Sequence, residues 1–158
     1  MNPDEKVTIR NATEKDLRAL ARLRKLFIGA KLYKQDVNII PGRIEKGTTV
    51  LLAEIKGRIV GFAWVGSETL QNAGELQSIA VRKGYRRQGI GTLLERASNQ
   101  FFVRHKLKQA ASSPTTKQGR AFFDRLVAAR IATMRISSVQ KNKIPNYWWN
   151  PRKALQRK

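Results

Sequence analysis

The chain has 158 residues, 41% of them apolar, with 32 Lys and Arg against 11 Asp and Glu, one His and no Cys. That length suits one domain around one core, and the apolar share excludes disorder despite a formal charge of +21. The lack of cysteine excludes disulfides, thiolate catalysis and Cys-type zinc sites, and His105 by itself builds no His-based site, so no metal or redox role is expected.

The N-terminus reads Met-Asn-Pro-Asp-Glu-Lys, with acids where a signal peptide would carry positive charge, and a cytoplasmic protein is expected. No stretch approaches the ~20 apolar residues of a membrane span, the longest run, Ile59 to Val65, being broken by Gly61. Val7 to Arg10 reads as a short strand. Thr13 with Asp16 resembles a capping box, and Leu17, Leu20, Ala21, Leu23 and Phe27 follow at roughly helical spacing to a stop near Gly29. Lys31 to Thr48 lacks periodicity and reads as a loop able to line a substrate site.

Thr49 to Ile55 and Arg58 to Gly66 flank the turn Lys56-Gly57 and predict a β-hairpin, whose second strand carries apolar residues on both faces and so belongs in the middle of a sheet. Glu75 to Val81 predicts a third strand of the same sheet, with Glu75, Gln77, Ile79 and Val81 on one face. Arg82 to Thr92 then forms a basic, Gly-containing loop leading into a helix striped by Leu93, Leu94, Ala97 and Phe101. Further on, Lys108 to Ser112 reads as a strand, Lys117 to Val127 as a helix with Phe122 and Leu126 inward, and Ile131 to Ser138 as a last strand. The order is α/β.

The loop before the helix has a chemical reading. Gly89 and Gly91 free successive backbone N–H groups at a helix N-terminus, and Arg86, Arg87 and Gln88 add side-chain donors, a combination that cradles a pyrophosphate. No Lys-Ser/Thr follows the glycines, so it is not a P-loop, and without a third Gly and an early first strand it is not a Rossmann fingerprint.

Arg86-Arg87-Gln88-Gly89-Ile90-Gly91 resembles the R/Q-x-x-G-x-G/A motif of the GCN5-related N-acetyltransferases (GNAT), and Leu76 to Val81 resembles that family's fourth strand. The similarity runs from about Val7 to Ser138 and implies a single GNAT-like domain over residues 1–138, with a mixed central sheet flanked by helices. It implies acetyl-CoA as co-substrate, with the amides of Arg87, Gln88, Gly89, Ile90, Gly91 and Thr92 and the Arg86 side chain on the pyrophosphate. The backbone of Ile79, Ala80 and Val81 would pair with the pantetheine arm, and the Val81 amide would polarise the thioester carbonyl. Glu75, on the strand beside the site, is the candidate general base and coincides with the catalytic Glu of histone-acetyltransferase-like members; its alternative is an exposed acid at a strand start. Glu54 is a second choice. Many members carry Phe-Tyr in the following helix, the Tyr serving as general acid, and here the matched pair is Phe122-Phe123. Proton donation to the leaving thiolate would then fall to water, Ser112 or Ser113, if it occurs.

Residues 1–81 hold 13 bases and 9 acids, whereas residues 82–158 hold 19 bases with only Glu95 and Asp124, so the excess is C-terminal. Residues 139–158 read as a basic, aromatic extension. Lys141, Lys143, Arg152 and Lys153 with Trp148 and Trp149 suit nucleic acid; alternatively Trp148 or Trp149 covers an edge of the domain. A protein this basic and without acidic clusters repels polycationic acceptors such as spermidine or aminoglycosides. The expected activity is therefore N-acetyl transfer to a primary amine on an acidic or nucleic-acid-associated acceptor: a protein N-terminus, a Lys on a ribosomal or DNA-bound protein, or a nucleobase. The alternative is a nucleic-acid-binding module on a catalytically weak scaffold.

Overall fold

A computed structural model of the chain describes residues 6–28, 48–68, 73–114, 117–129, 132–136 and 145–156. The expected loop from Lys31 to Thr48 lies almost wholly outside them, as do Lys141 and Lys143. Strands β1 (Thr8–Asn11), β2 (Thr48–Ile55), β3 (Arg58–Glu68), β4 (Ala73–Val81), β5 (Gln109–Ser112), β6 (Ala132–Ile136) and β7 (Pro145–Trp149) form one sheet in the order β1-β2-β3-β4-β5-β7-β6. Helix α1 (Leu17–Ile28) precedes β2, α2 (Ile90–Arg104) links β4 to β5, α3 (Lys117–Ala128) links β5 to β6, and the short α4 (Pro151–Leu155) closes the described chain. β1 to β4 pair antiparallel, β5 joins β4 in parallel across the α2 crossover, and β7 runs antiparallel between β5 and β6.

The sheet buries both faces, as the doubly apolar β3 requires. Leu20 and Leu23 of α1 pack on Val50, Leu52, Phe62 and Trp64. On the other face Leu51, Ala53, Ala63, Val65 and Leu76 meet Leu94 and Phe102 of α2 and Phe123 of α3. Phe102 lies so close on β4 that a Cβ at Gly74 would sit 2.3 Å from its ring, and only glycine admits the helix at that depth.

The N-terminal start forms as the residues predict. The Thr13 amide donates to Asp16 Oδ2 at 2.8 Å, opening a 3-10 turn (Glu14–Asp16) that runs into α1. Arg10 on β1 grips Asp16 through both terminal nitrogens, at 2.7 and 2.8 Å, and Glu54 on β2 at 2.6 and 2.9 Å. The guanidinium holds the Asp16 carboxyl well below the usual carboxylate range, against the opposing effect of burial. This fork ties the first strand, the hairpin and the start of α1 together.

The expected boundary at residue 138 is overturned for residues 145–156. β7 fills an interior position of the sheet, with Tyr147 opposite Ser112 and Trp149 opposite Ala110, while α4 packs on α2. Tyr147 and Trp149, two residues apart, share the buried face against Phe123, and Trp148 between them is half-buried. Trp149 Nε1 donates to the buried Asn99 Oδ1 at 2.7 Å, and Asn99 in turn donates to Glu95 at 2.6 Å. These rings are core because their period is that of a strand, a pattern the surrounding basic residues mask.

Candidate active site

β4 positions the site through a break in its own ladder. On the β3 side Trp64 pairs with Ser78 and Val65 with Leu76, so Gln77 is an extra residue, a β-bulge. The bulge reverses the alternation of side chains. Leu76 before it and Ile79 and Val81 after it all pack toward α2, and Glu75 therefore lies on the opposite face, the one covered by α1. The expectation that Glu75, Gln77, Ile79 and Val81 share a face is corrected by this single inserted residue.

The same region parts β4 from β5. Their parallel pairing covers only Ala73–Gln109, Gly74–Ala110 and Glu75–Ala111. Just beyond, Ser112 Oγ donates to the Leu76 carbonyl at 2.8 Å and clamps the vertex, after which no described strand lies beside this edge of Gln77–Val81. Ile79, Ala80 and Val81 thus offer a half-buried backbone edge with no described strand beside it. Ser112 is buried and committed to this clamp; its role has no sequence signal beyond residue type.

From Val81 the chain passes through a 3-10 turn (Lys83–Tyr85) into the loop that opens α2. Arg87 at φ 64 and Gly89 at φ 78 both adopt left-handed backbone, uncommon for an arginine. Gly89 is the N-cap of α2 and has no side chain to cap it; a Cβ there would meet nothing within 4 Å. The first amides of α2 consequently start at an open, exposed position carrying the partial positive charge of the helix end. Arg86 and Arg87 are exposed beside it, and Arg86 Nε fastens the loop to β4 through the Val81 carbonyl at 2.9 Å. Gln88 is turned inward instead: its Nε2 lies 3.4 Å from the Gly84 carbonyl and its Oε1 is buried without a partner, so it braces the loop. Ile90 contributes only its backbone, its side chain being core, whereas Gly91 is half-exposed and Thr92 exposed. An uncapped helix start, two arginines and an unpaired strand edge on one path fit a long cofactor whose anionic end sits at the loop.

Glu75 is half-buried where β4 and β5 separate, and among the described residues nothing hydrogen-bonds to its carboxylate. Glu54, the second choice, is engaged by Arg10. Phe123 stacks on Tyr147 at 5.1 Å between ring centres and is 1% exposed, so the position matched to the family's tyrosine faces the core. Phe122, expected inward, is the half-buried one, its ring approaching Gly91. Of the residues expected to meet nucleic acid, Trp149 is removed by its burial, and Arg152 and Lys153 are exposed on α4.

Residues 16–126, well over half of the chain, match the sequence profile of the acetyltransferase (GNAT) family. A comparison with curated protein sequences finds no significant match. Among solved structures, an acetyltransferase of the GNAT family from Staphylococcus aureus Mu50 superposes with a TM-score of 0.73 at 15% identity, covering 92% of this chain and 99% of its own. The PaiA N-acetyltransferase from Thermoplasma acidophilum, in complex with coenzyme A, gives 0.70 at 12% identity, with 92% and 99% covered. Ribosomal-protein-alanine N-acetyltransferase from Brucella melitensis gives 0.68 at 24% identity, with 89% and 96% covered. The profile match and the loop it contains place the chain in the GNAT family, as an acetyl-CoA-dependent N-acetyltransferase.

Proposed function

We propose that the chain acetylates a primary amine on an acceptor associated with nucleic acid: a protein N-terminus, a lysine of a ribosomal or DNA-bound protein, or a nucleobase. The observation that carries this reading is the charge, 32 bases against 11 acids. A polyamine or aminoglycoside carries several ammonium groups and needs carboxylates around it; a field of this sign instead draws in polyanions and whatever they carry.

Acetyl-CoA supplies the acyl group as a thioester. The amides from Arg87 to Thr92 with Arg86 and Arg87 would hold its pyrophosphate, and the edge of Ile79–Val81 its pantetheine arm. Glu75, unengaged at the cleft, receives the proton that the acceptor ammonium must lose before its nitrogen can attack. Phe123 has no proton to give and Ser112 is bonded to Leu76, so protonation of the departing sulfur is left to solvent or to the exposed Ser113.

Acetyl-CoA turnover followed by thiol release, across spermidine, an aminoglycoside, ribosomal proteins, basic DNA-bound proteins and nucleic acids, tests the proposal. Turnover confined to the nucleic-acid-associated acceptors is expected. Preferential acetylation of spermidine or the aminoglycoside would overturn it.

A further inference from the structure

A second group of cations gathers at the end of α2 remote from the cofactor loop. Lys106, Lys108 and Arg152 line, with Leu107 and Asn150, one open pocket of about 480 Å³. Arg104 and Lys153 are exposed nearby in the chain. Helix α2 has 15 residues, so this pocket and the N-cap Gly89 stand about 22 Å apart along its axis. The two cationic sites are therefore distinct.

The negative end of α2 favours Lys106 and Lys108, but folding does not account for Arg152 and Lys153. Helix α2 ends with the Lys106 amide on the Val103 carbonyl and the Leu107 amide on the Phe102 carbonyl, a Schellman motif whose left-handed residue is Lys106 at φ 59. Glycine is the usual occupant of that position, and a lysine there is strained. At α4 the Asn150 side chain already accepts from the Arg152 and Lys153 amides, so the helix start is complete without cations, and the dipole there opposes them. Among the described residues no hydrogen bond or ion pair engages the side chains of Lys106, Lys108, Arg152 or Lys153. The acids of the C-terminal half are occupied elsewhere, Glu95 with Asn99 and Asp124 with Tyr147. Like charges set around one pocket repel, and among the described residues only the negative end of α2 offsets part of that repulsion.

We infer that this face, Lys106, Lys108, Arg152 and Lys153 around the pocket, docks the phosphate backbone of a nucleic acid. The inference rests on the proposed nucleic-acid-associated acceptor and places the contact away from the acetyl-transfer cleft. A lipid surface fits poorly, because Leu107 is buried and the one large apolar side chain exposed among the described residues, Leu93, lies on another turn of α2. Cations that hold phosphates displace condensed counterions, so the signature is a steep dependence of affinity on salt.

The test uses the full chain and the variant Lys106→Asn, Lys108→Gln, Arg152→Gln, Lys153→Gln, in which Asn suits the left-handed backbone. A control, Lys15→Gln, Arg18→Gln, Arg22→Gln, Arg58→Gln, removes equal charge from exposed positions elsewhere. Fluorescence anisotropy with a labelled single-stranded RNA of about 20 nucleotides and a duplex DNA of about 20 base pairs is read across about 50 to 200 mM salt. The wild type should bind, and the patch variant should lose about 3 from the slope of log affinity against log salt and bind at least about tenfold more weakly. The control should lose much less, with acetyl-CoA affinity and Tm unchanged in both. Equal losses in the two variants would overturn this placement and leave the proposed acceptor class standing. A wild type that binds neither probe would overturn both. Competition by poly-glutamate as effective as unlabelled RNA would assign the face to acidic peptides and overturn the inference.

Discussion

Replacing Trp149 by Ala tests whether the last strand is part of the core. The indole is 4% exposed, is packed 5.7 Å from the Phe123 ring and donates to Asn99, which is itself fully buried. Emptying a buried tryptophan site costs about 3–5 kcal/mol, and leaving the Asn99 oxygen without its donor costs about 1–3 kcal/mol, the two overlapping because they arise at one site. A loss of at least about 4 kcal/mol is expected, a large part of the 5–15 kcal/mol that holds an ordinary domain. Trp149→Phe retains most of the ring area and forfeits the donor, so about 1–3 kcal/mol should go. Urea unfolding followed by circular dichroism measures both, and removing residues 145–158 outright should leave no cooperative transition. A loss under about 1 kcal/mol for Trp149→Ala, or a truncated chain that unfolds like the full one, would refute the reasoning.

Glu75→Gln should lower turnover by about 10² or more with acetyl-CoA affinity nearly intact, and a rate within about a factor of two of wild type would reassign Glu75 to structure. Phe123→Tyr should not raise turnover; it buries a hydroxyl and should cost about 1–3 kcal/mol in urea, and a faster enzyme would show that the position faces the reacting groups. Burial and then Asp124 push the Tyr147 hydroxyl up to about 12 from its ordinary 10.0. A group raised in the folded state stabilises fully below its unfolded value and less as pH climbs, so stability should decline between pH 10 and about 12. That decline should be shallower in Tyr147→Phe; identical alkaline profiles would remove Tyr147 as its source.

Much of this architecture is legible in local pattern. The Thr13–Asp16 start, the hairpin around Lys56-Gly57, the strand before Arg82 and the helix after Gly89 follow from capping, alternation and glycine placement, which act within a few residues. The motif at Arg86 to Gly91 was readable for the same reason. The bulge at Gln77 was not: it depends on how β4 settles against β3, and no residue type announces it, yet it decides which face Glu75 takes. Nor was the place of Tyr147 and Trp149, because membership of a sheet is settled by Ser112, Ala110 and Phe123, distant in sequence, while the basic neighbours suggest a surface. Phe123 is buried for a related reason, since its ring packs on Tyr147 and Trp149 of β7.

Calorimetric titration of acetyl-CoA into the wild type and into Gly89→Asp with Arg86→Glu tests the central claim most directly. Asp tolerates the left-handed backbone at Gly89, and both changes set negative charge against the pyrophosphate at exposed positions, so the fold should survive. The account predicts one acetyl-CoA per wild-type chain, with affinity weakened by about 10² or more in a variant that stays folded. No binding to the wild type, or equal affinity in a folded variant, would contradict it.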